Sequence, residues 1–208
     1  MTETRSASIT INPPRKAVVS IGWAYDDVAP GCVFDSGLGI NRMNYSATAR
    51  TFVWDSGEDA GTVVKGDSVN FNEDIRVGGA TTGDDSGMYP DSVLEKYVRY
   101  NGFPQNTYGH RTASIHLSPG TYRLRLFCSL NSTYKNSTEF MKVQTVVDGV
   151  ANVFELPDGY DVIGNLTRWL EQEITVPESG MFELQWGMEN ATKGWMEVPL
   201  NIIEIEET

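Results

Sequence analysis

The stretch that decides the fold is "TASIHLSPGTYRLRLFCSL", residues 112–130, in which two segments of alternating apolar residues flank a Ser-Pro-Gly turn. Alternation with a period of two is the pattern of a β-strand that buries one face. In the second segment the apolar face consists of Tyr122, Leu124, Leu126 and Cys128. Its opposite face carries Arg123 and Arg125. The stretch therefore predicts two strands joined by a tight turn, with an arginine-bearing face that needs a partner.

Similar strand patterns, separated by Gly, Asn, Asp and Ser, recur along the whole chain. They lie at 17–23, 50–54, 61–64, 67–72, 112–117, 121–130, 139–147, 151–155, 172–176, 181–187 and 199–206. Many short strands at this spacing are typical of a sandwich or a jelly roll. The sequence predicts an all-β fold, an antiparallel β-sandwich of the jelly-roll type with one short helix. The predicted core includes Val18, Ile21, Trp23, Leu124, Leu126, Phe182, Leu184, Trp186, Ile203 and Ile205.

The short helix is predicted near residues 90–99, within "YPDSVLEKYVRY". Pro90 stands at its first turn, where its missing N–H is tolerated, and Asp91 can cap it. Val93, Tyr97 and Val98 would then share one helix face.

Two segments of the chain resemble each other in the order of their residues. "IHLSPGTYRLRLF" and "ITVPESGMFELQW" both run from a strand through a Ser/Pro/Gly turn to an aromatic residue and alternating apolar residues. This echo predicts two equivalent hairpins that face each other in two sheets. The segments 24–48 and 73–90 are too long for hairpin turns, so we expect them to be loops that supply contacts.

Length and charge limit the classes of function. A chain of 208 residues is long enough for one well-buried domain. Sixteen basic and 28 acidic residues give a formal net charge of −12, which disfavours nucleic acid as a partner. The sequence has no apolar run of membrane-spanning length, and its polar start is unlike a secretory signal, so neither membrane insertion nor signal-directed export is predicted.

The sequence carries no motif that nominates a catalytic centre. Cys32 and Cys128 share no metal-binding spacing. Cys128 is expected to be free and buried, while a Cys32–Cys128 pair stays open as the alternative. The only histidines are His110 and His116, and no serine motif accompanies them. Nucleophile elbows, phosphate loops, dinucleotide fingerprints and zinc-protease motifs do not occur in the sequence. We therefore predict that the protein is not an enzyme.

Three groups of residues are candidates for binding. Aromatic residues that are expected to be exposed could stack on sugar rings, namely Trp54, Tyr89, Tyr108 and Trp195. Paired carboxylates could hold a structural Ca²⁺, namely Asp26, Asp27, Asp84 and Asp85, although solvated turn residues are the alternative. Candidate interface residues are Ile9, Ile11, Arg123 and Arg125. No other cofactor is indicated.

Ile9 and Ile11 belong to a predicted extended N-terminal arm, residues 1–16, which precedes a jelly-roll domain, residues 17–208. The proline pair at 13–14 favours an extended chain there. We expect the arm to lie along a neighbouring molecule. Arg123 and Arg125 are expected on the outer sheet face, where they discourage edge pairing or meet an acidic partner.

The order of motifs resembles that of a known class of module. "VVSIGW", "VWDSGEDAGTVV", "MYPDSVLEKYV", "IHLSPGTYRLRLFCSL", "VVDGV", "ITVPESGMFELQWG" and "LNIIEIEE" are similar to the pattern of malectin-like, galactose-binding-domain-like jelly rolls. The resemblance spans about residues 17–206. Such modules occur in bacterial hydrolases and in bacteriophage structural proteins. The resemblance therefore implies a jelly roll that binds carbohydrate or builds a particle.

Three functional hypotheses follow. The first is a non-enzymatic structural or decoration protein of a virus particle, most plausibly a bacteriophage, whose partners are other virion proteins and copies of itself. The second is a free-standing carbohydrate-binding module, located in the cytoplasm or released without a signal peptide. The third is an accessory domain associated with a hydrolase. The first two are compatible, since a virion module can also bind host or mucus glycans.

Overall fold

The computed structural model describes residues 13–23, 31–44, 49–66, 75–102, 109–131, 138–189 and 196–208. In these residues the chain forms two six-stranded sheets, a three-stranded sheet and one short helix. The two six-stranded sheets face each other across an apolar core. The predicted all-β sandwich with one short helix is therefore confirmed.

The first sheet contains the strand with the two arginines, in an interior position. Its strands, in spatial order, are β12 (Leu170–Val176), β9 (Gly120–Phe127), β15 (Ile202–Glu207), β1 (Lys16–Ser20), β3 (Ile40–Met43) and β2 (Cys32–Asp35). Neighbouring strands are antiparallel, except that β1 and β3 run parallel. Because β9 lies between β12 and β15, it is not an edge strand, and its arginines do not protect an edge.

The second sheet is antiparallel throughout. Its strands, in spatial order, are β11 (Val150–Val153), β10 (Met141–Val147), β13 (Met181–Met188), β8 (Gly109–Leu117), β5 (Asp59–Lys65) and β4 (Arg50–Val53). All ten predicted core residues are buried. Eight of them line the core between the two sheets, whereas Val18 and Trp23 belong to a second cluster on the outer face of the first sheet.

The predicted helix is shorter than expected. Only Asp91–Leu94 is helical, and this helix is α1. Residues Lys96–Gly102 continue as strand β7, the middle of the third sheet, between β14 (Met196–Leu200) and β6 (Ile75–Val77). The prediction of a helix to residue 99 was wrong because pairing with two distant strands overrides a short helical pattern. In the described part of the chain, no helix is long and apolar enough to cross a membrane.

The two similar segments form arches and not hairpins. Strand β8 belongs to the second sheet and β9 to the first, so the turn between them crosses from one sheet to the other. The turn between β12 and β13 crosses in the opposite direction. Strands β8 and β13 pair in one sheet, and β9 and β12 pair in the other. The echo therefore marks two stacked arches, whose turns meet where the Leu117 N–H donates to the Gly180 carbonyl at 3.0 Å.

The predicted long loops contain strands. Segment 24–48 includes β2 and β3, and segment 73–90 includes β6. These strands were missed because they are three or four residues long and lack clear alternation. Residues 67–72, which were predicted to form a strand, lie outside the described residues.

The strand directions give the sandwich two different ends. The tight turns at 36–39, 54–58, 118–119, 148–149 and 177–180 lie at one end, here called the turn end, together with Arg15 and Glu207. The described residues that flank 24–30, 45–48, 103–108, 132–137 and 190–195 lie at the opposite end. The described residues that flank the longer connections and those that follow residue 12 therefore lie at opposite ends of the sandwich.

Candidate functional site

Arg123 and Arg125 are the centre of a charged ladder across the outer face of the first sheet. In register, Arg125 stands between Glu171 of β12 and Glu204 of β15. Its Nη1 lies 2.7 Å from Glu204 Oε1 and its Nε 3.3 Å from Glu171 Oε2. Arg123 Nε donates to Glu206 Oε2 at 2.9 Å. The acidic partners of both arginines thus belong to the same chain, and their role at an interface stays a prediction.

Glu204 is the buried member of this ladder, with only 3% of its surface exposed. Besides Arg125, its carboxylate contacts Lys16 Nζ at 3.6 Å and accepts a hydrogen bond from the Tyr89 hydroxyl at 3.2 Å. Burial, together with the neighbouring Glu204 charge, raises the pKa of Tyr89. Tyr89 therefore remains a neutral donor that helps to satisfy a buried carboxylate.

A second apolar cluster covers part of the same outer face. It contains Val18, Trp23, Ile40, Val93, Leu94, Phe127, Trp169 and Ile202, with Val33 and Tyr89 at its margin. The Arg125 guanidinium lies 4.6 Å from the centre of the Trp169 ring, whose edge also packs on Phe127 at 5.5 Å. The helix and the segment before it thus cover this half of the outer sheet face and shield it from solvent.

Buried polar side chains form hydrogen bonds that join the segment before the helix, and the helix itself, to the sandwich. Asn201 donates from Nδ2 to the Leu94 carbonyl at 2.8 Å and accepts from the Ser129 N–H at 2.7 Å. The Ser129 hydroxyl accepts from the Ala80 N–H and donates to the Asn165 carbonyl. These residues could not be singled out from the sequence, because single Asn and Ser residues give no signal until distant segments meet.

The predicted carbohydrate-binding aromatics have different positions. The expectation of an accessible Trp54 was wrong: it is 2% exposed and stacks on Tyr122 at 6.4 Å between ring centres. Trp54 follows Phe52 by two residues in an extended chain, so its side chain points to the same inward face as that of Phe52. Tyr89 is half-buried beside Trp169. Tyr108 and Trp195 lie outside the described residues.

Two of the aspartates proposed for calcium, Asp84 and Asp85, stabilise a loop. Asp84 accepts from the Ser86 N–H at 3.1 Å, and Asp85 accepts from the Asp91 N–H at 2.7 Å. Hydrogen bonds from Ser86 lower the pKa of Asp84. Within the described ranges no cluster of three or more His, Cys, Asp or Glu residues suited to a metal is found. Asp26 and Asp27 lie outside those ranges.

Asp91 does not cap α1 as predicted. Its carboxylate accepts hydrogen bonds from the Thr82 N–H at 2.8 Å and from the Gly83 N–H, and the N-cap position is Pro90. Desolvation acts to raise its pKa, but these hydrogen bonds lower it on balance. Asp91 therefore ties the loop before the helix to the helix start.

Both cysteines are free, and Cys128 is buried, as predicted for Cys128. Burial raises the pKa of Cys32 to about 11 and that of Cys128 to about 12. Both thiols are protonated at neutral pH and are poor nucleophiles. His116 lies apart from them, at an open depression of about 450 Å³ on the outer face of the second sheet, beside Thr62 and Asp59.

Comparisons with known proteins identify no family for this chain. A scan of protein-family models matches nothing in the chain, and a search of curated proteins finds no relative. Among solved structures, the chain is similar to a chain in the structure of infectious bursal disease virus Gx strain. The identity is 11%, the TM-score is 0.25, and the match covers 99% of this chain and 53% of the other. A TM-score this low carries no argument about function.

Proposed function

We propose that the protein is a non-enzymatic structural or decoration protein of a virus particle, most plausibly of a bacteriophage, that acts in the virion beside copies of itself and other virion proteins. The observation that carries the proposal is the polarity of the sandwich. Residues 13–15 lie at the turn end, and the described residues that flank the longer connections lie at the opposite end. A module held by its turn end would present its opposite end to the surroundings.

Arg15, which follows the N-terminal segment closely, is held on the sandwich, as is needed if that segment attaches the protein to a particle. Arg15 donates from Nε to Glu207 Oε2 at 2.8 Å, and the Glu207 N–H donates to the Arg15 carbonyl at 3.0 Å. The Arg15 guanidinium also lies 5.0 Å from the centre of the Trp54 ring. Force on residues 1–12 would therefore pass directly into the core strands. Lys16, the last residue of the predicted arm, is also the first residue of β1, and the arm itself stays a prediction.

The test removes residues 1–12 and measures the copy number of the protein on purified particles. We expect the truncated protein to keep its far-UV circular dichroism and its unfolding midpoint, and to lose about tenfold or more in occupancy. The matched control replaces residues 1–12 by a Gly/Ser segment of equal length. Unchanged occupancy of the truncated protein would contradict the proposal.

A carbohydrate-binding module is the second candidate. It is favoured by the strand register at the opposite end, where Gly109 pairs with Met188 and Gly102 pairs with Met196. Tyr108 and Trp195 are the immediate sequence neighbours of two of these paired residues. Glycan-array binding that is lost in both Tyr108→Ala and Trp195→Ala would support this role. Binding that persists in both variants would remove it.

A further inference from the structure

Strand β11 is an exposed edge of the second sheet. It pairs only with β10 among the described strands, and all four of its residues, Val-Ala-Asn-Val, are exposed. Val150 is 62% and Val153 is 51% exposed, although valine usually lies in a core. An uncharged edge of this kind can accept another strand through its free backbone groups.

The hairpin geometry identifies those free groups. Asp148 and Gly149 both have positive φ, 48° and 79°, as a two-residue type I′ turn requires. The closing pair Val147 and Val150 is then hydrogen-bonded, and the bonded positions recur every second residue. The Phe154 N–H donates to the Val143 carbonyl at 2.9 Å, in agreement with this register. The N–H and C=O groups of residues 151 and 153 therefore point to the open edge.

The other described edges carry features that discourage pairing. They are glutamates on β12 (Glu171, Glu173), the Asp35–Arg42 ion pair beside β2, a bulge at Phe52/Val53 in β4, Arg76 in β6 and Pro199 in β14. Among the described edge strands, β11 alone has no charge, proline or bulge. Among the described edges, β11 is therefore the one whose backbone is left open to pairing with another strand.

We propose that β11 accepts residues 1–12 of a second copy of the chain as an added antiparallel strand. This inference rests on the proposed function and names the surface to which the arm binds. The segment "SASITIN", residues 6–12, alternates small or polar residues with Ile9 and Ile11 and contains no charge. Twelve extended residues span about 40 Å at most, which is enough to reach a neighbouring molecule.

Charge favours the arm over a second β11 strand as the occupant. Pairing two β11 strands through residues 151 and 153 would bring Asp148 of one copy beside Glu155 of the other, twice over in a two-fold arrangement. The arm instead carries Arg5, and its only acid is Glu3. In an antiparallel pairing with Ile9 to Ile11 along β11, Arg5 lies toward Glu155. Ile9 and Ile11 can then bury apolar surface against Val150.

The test titrates a fluorescent peptide of residues 1–14 onto the protein that lacks residues 1–12. We expect saturable binding that weakens about tenfold or more in Ala151→Pro and in Val153→Lys. Ala151→Pro removes an N–H that points outward, and Val153→Lys adds a charge without touching the backbone. Ser114→Lys, on the outer face of β8, is the matched control and should bind like the parent. The Ile9→Asp peptide should bind weakly.

Each other outcome has a defined meaning. Peptide binding that survives both β11 substitutions overturns the assignment of this edge. If the protein without residues 1–12 still self-associates, and Ala151→Pro abolishes that association, then the partner of this edge is a second β11 strand and not the arm. Light scattering could show that the full-length protein is monomeric while the peptide binds only the truncated protein. In that case β11 binds the arm of its own chain and not that of a second copy. Particle occupancy that falls on arm deletion but not in Val153→Lys leaves the proposed function intact and rejects this site.

Discussion

Glu204 and Glu206 lie on the same face of β15, but their surroundings differ. The side chain of Glu204 is 4% exposed and that of Glu206 is 23% exposed. Strand parity alone would treat these two residues alike. The difference arises because the aromatic cover formed by Tyr89 and Trp169 extends over the Glu204 end of the ladder. Burial of a polar residue here is a property of its neighbours and not of its own pattern.

At the residue scale, Leu126→Ala should lower the free energy of unfolding by about 2–5 kcal/mol, because the side chain is fully buried and its removal leaves a cavity. Urea unfolding followed by tryptophan fluorescence measures the change. The control is Leu38→Ala, since Leu38 is 43% exposed. The control should cost about 0.5 kcal/mol or less. A cost for Leu126→Ala as small as that of the control would mean that the faces of β9 are assigned the wrong way round.

At the element scale, the ladder between β12, β9 and β15 alternates acid, base and acid. The strands come from "LEQEITV", "GTYRLRLF" and "IIEIEE", so each strand carries one charge type on the outer face. Opposite charges directly across a strand pair stabilise the pairing, whereas like charges would destabilise it. The ladder therefore also selects the order of these three strands.

The two arginines provide a matched test of this element. Arg125→Ala should cost about 3 kcal/mol, because it removes the closest partner of the buried Glu204 carboxylate. Arg123→Ala should cost much less than Arg125→Ala, because Arg123 is exposed and pairs near solvent. Chemical denaturation of both variants in the same buffer compares them. Equal costs would argue that burial of Glu204 does not govern the ladder.

At the scale of the whole molecule, the Arg15–Glu207 pair joins the two ends of the described chain. The hydrogen bond from Arg15 lowers the pKa of Glu207. A carboxyl whose folded pKa is lowered contributes stability that is complete above its unfolded pKa, about 4.3 for glutamate, and is lost as the pH falls through the folded value. This pair therefore weakens in acid and not in mild alkali.

The prediction compares the urea midpoints of the parent and of Glu207→Gln at about pH 6 and about pH 3. The parent should be the more stable protein at the higher pH, and the difference should shrink on acidification. Other carboxyls with lowered pKa values, such as Asp84 and Asp91, are retained in both proteins and contribute equally. A difference that stays constant over this pH range would refute the assigned role of Glu207.

The sequence by itself determined the features that depend on local alternation. The all-β sandwich, the inward residues such as Leu124 and Trp186, the burial of Cys128 and the outer position of the arginines all follow from a period of two. Alternation is local, because neighbouring side chains of any extended chain point to opposite faces. This is why these predictions needed no knowledge of the partner strands.

Only the tertiary structure decided which strands meet. It converted predicted hairpins into arches, continued the predicted helix as β7, and buried Trp54 and Glu204. It also supplied the glutamate partners of Arg125, which lie 46 and 79 residues away in the chain, at Glu171 and Glu204. Such contacts depend on loop closure and on packing between distant segments, which leave no periodic trace in the sequence.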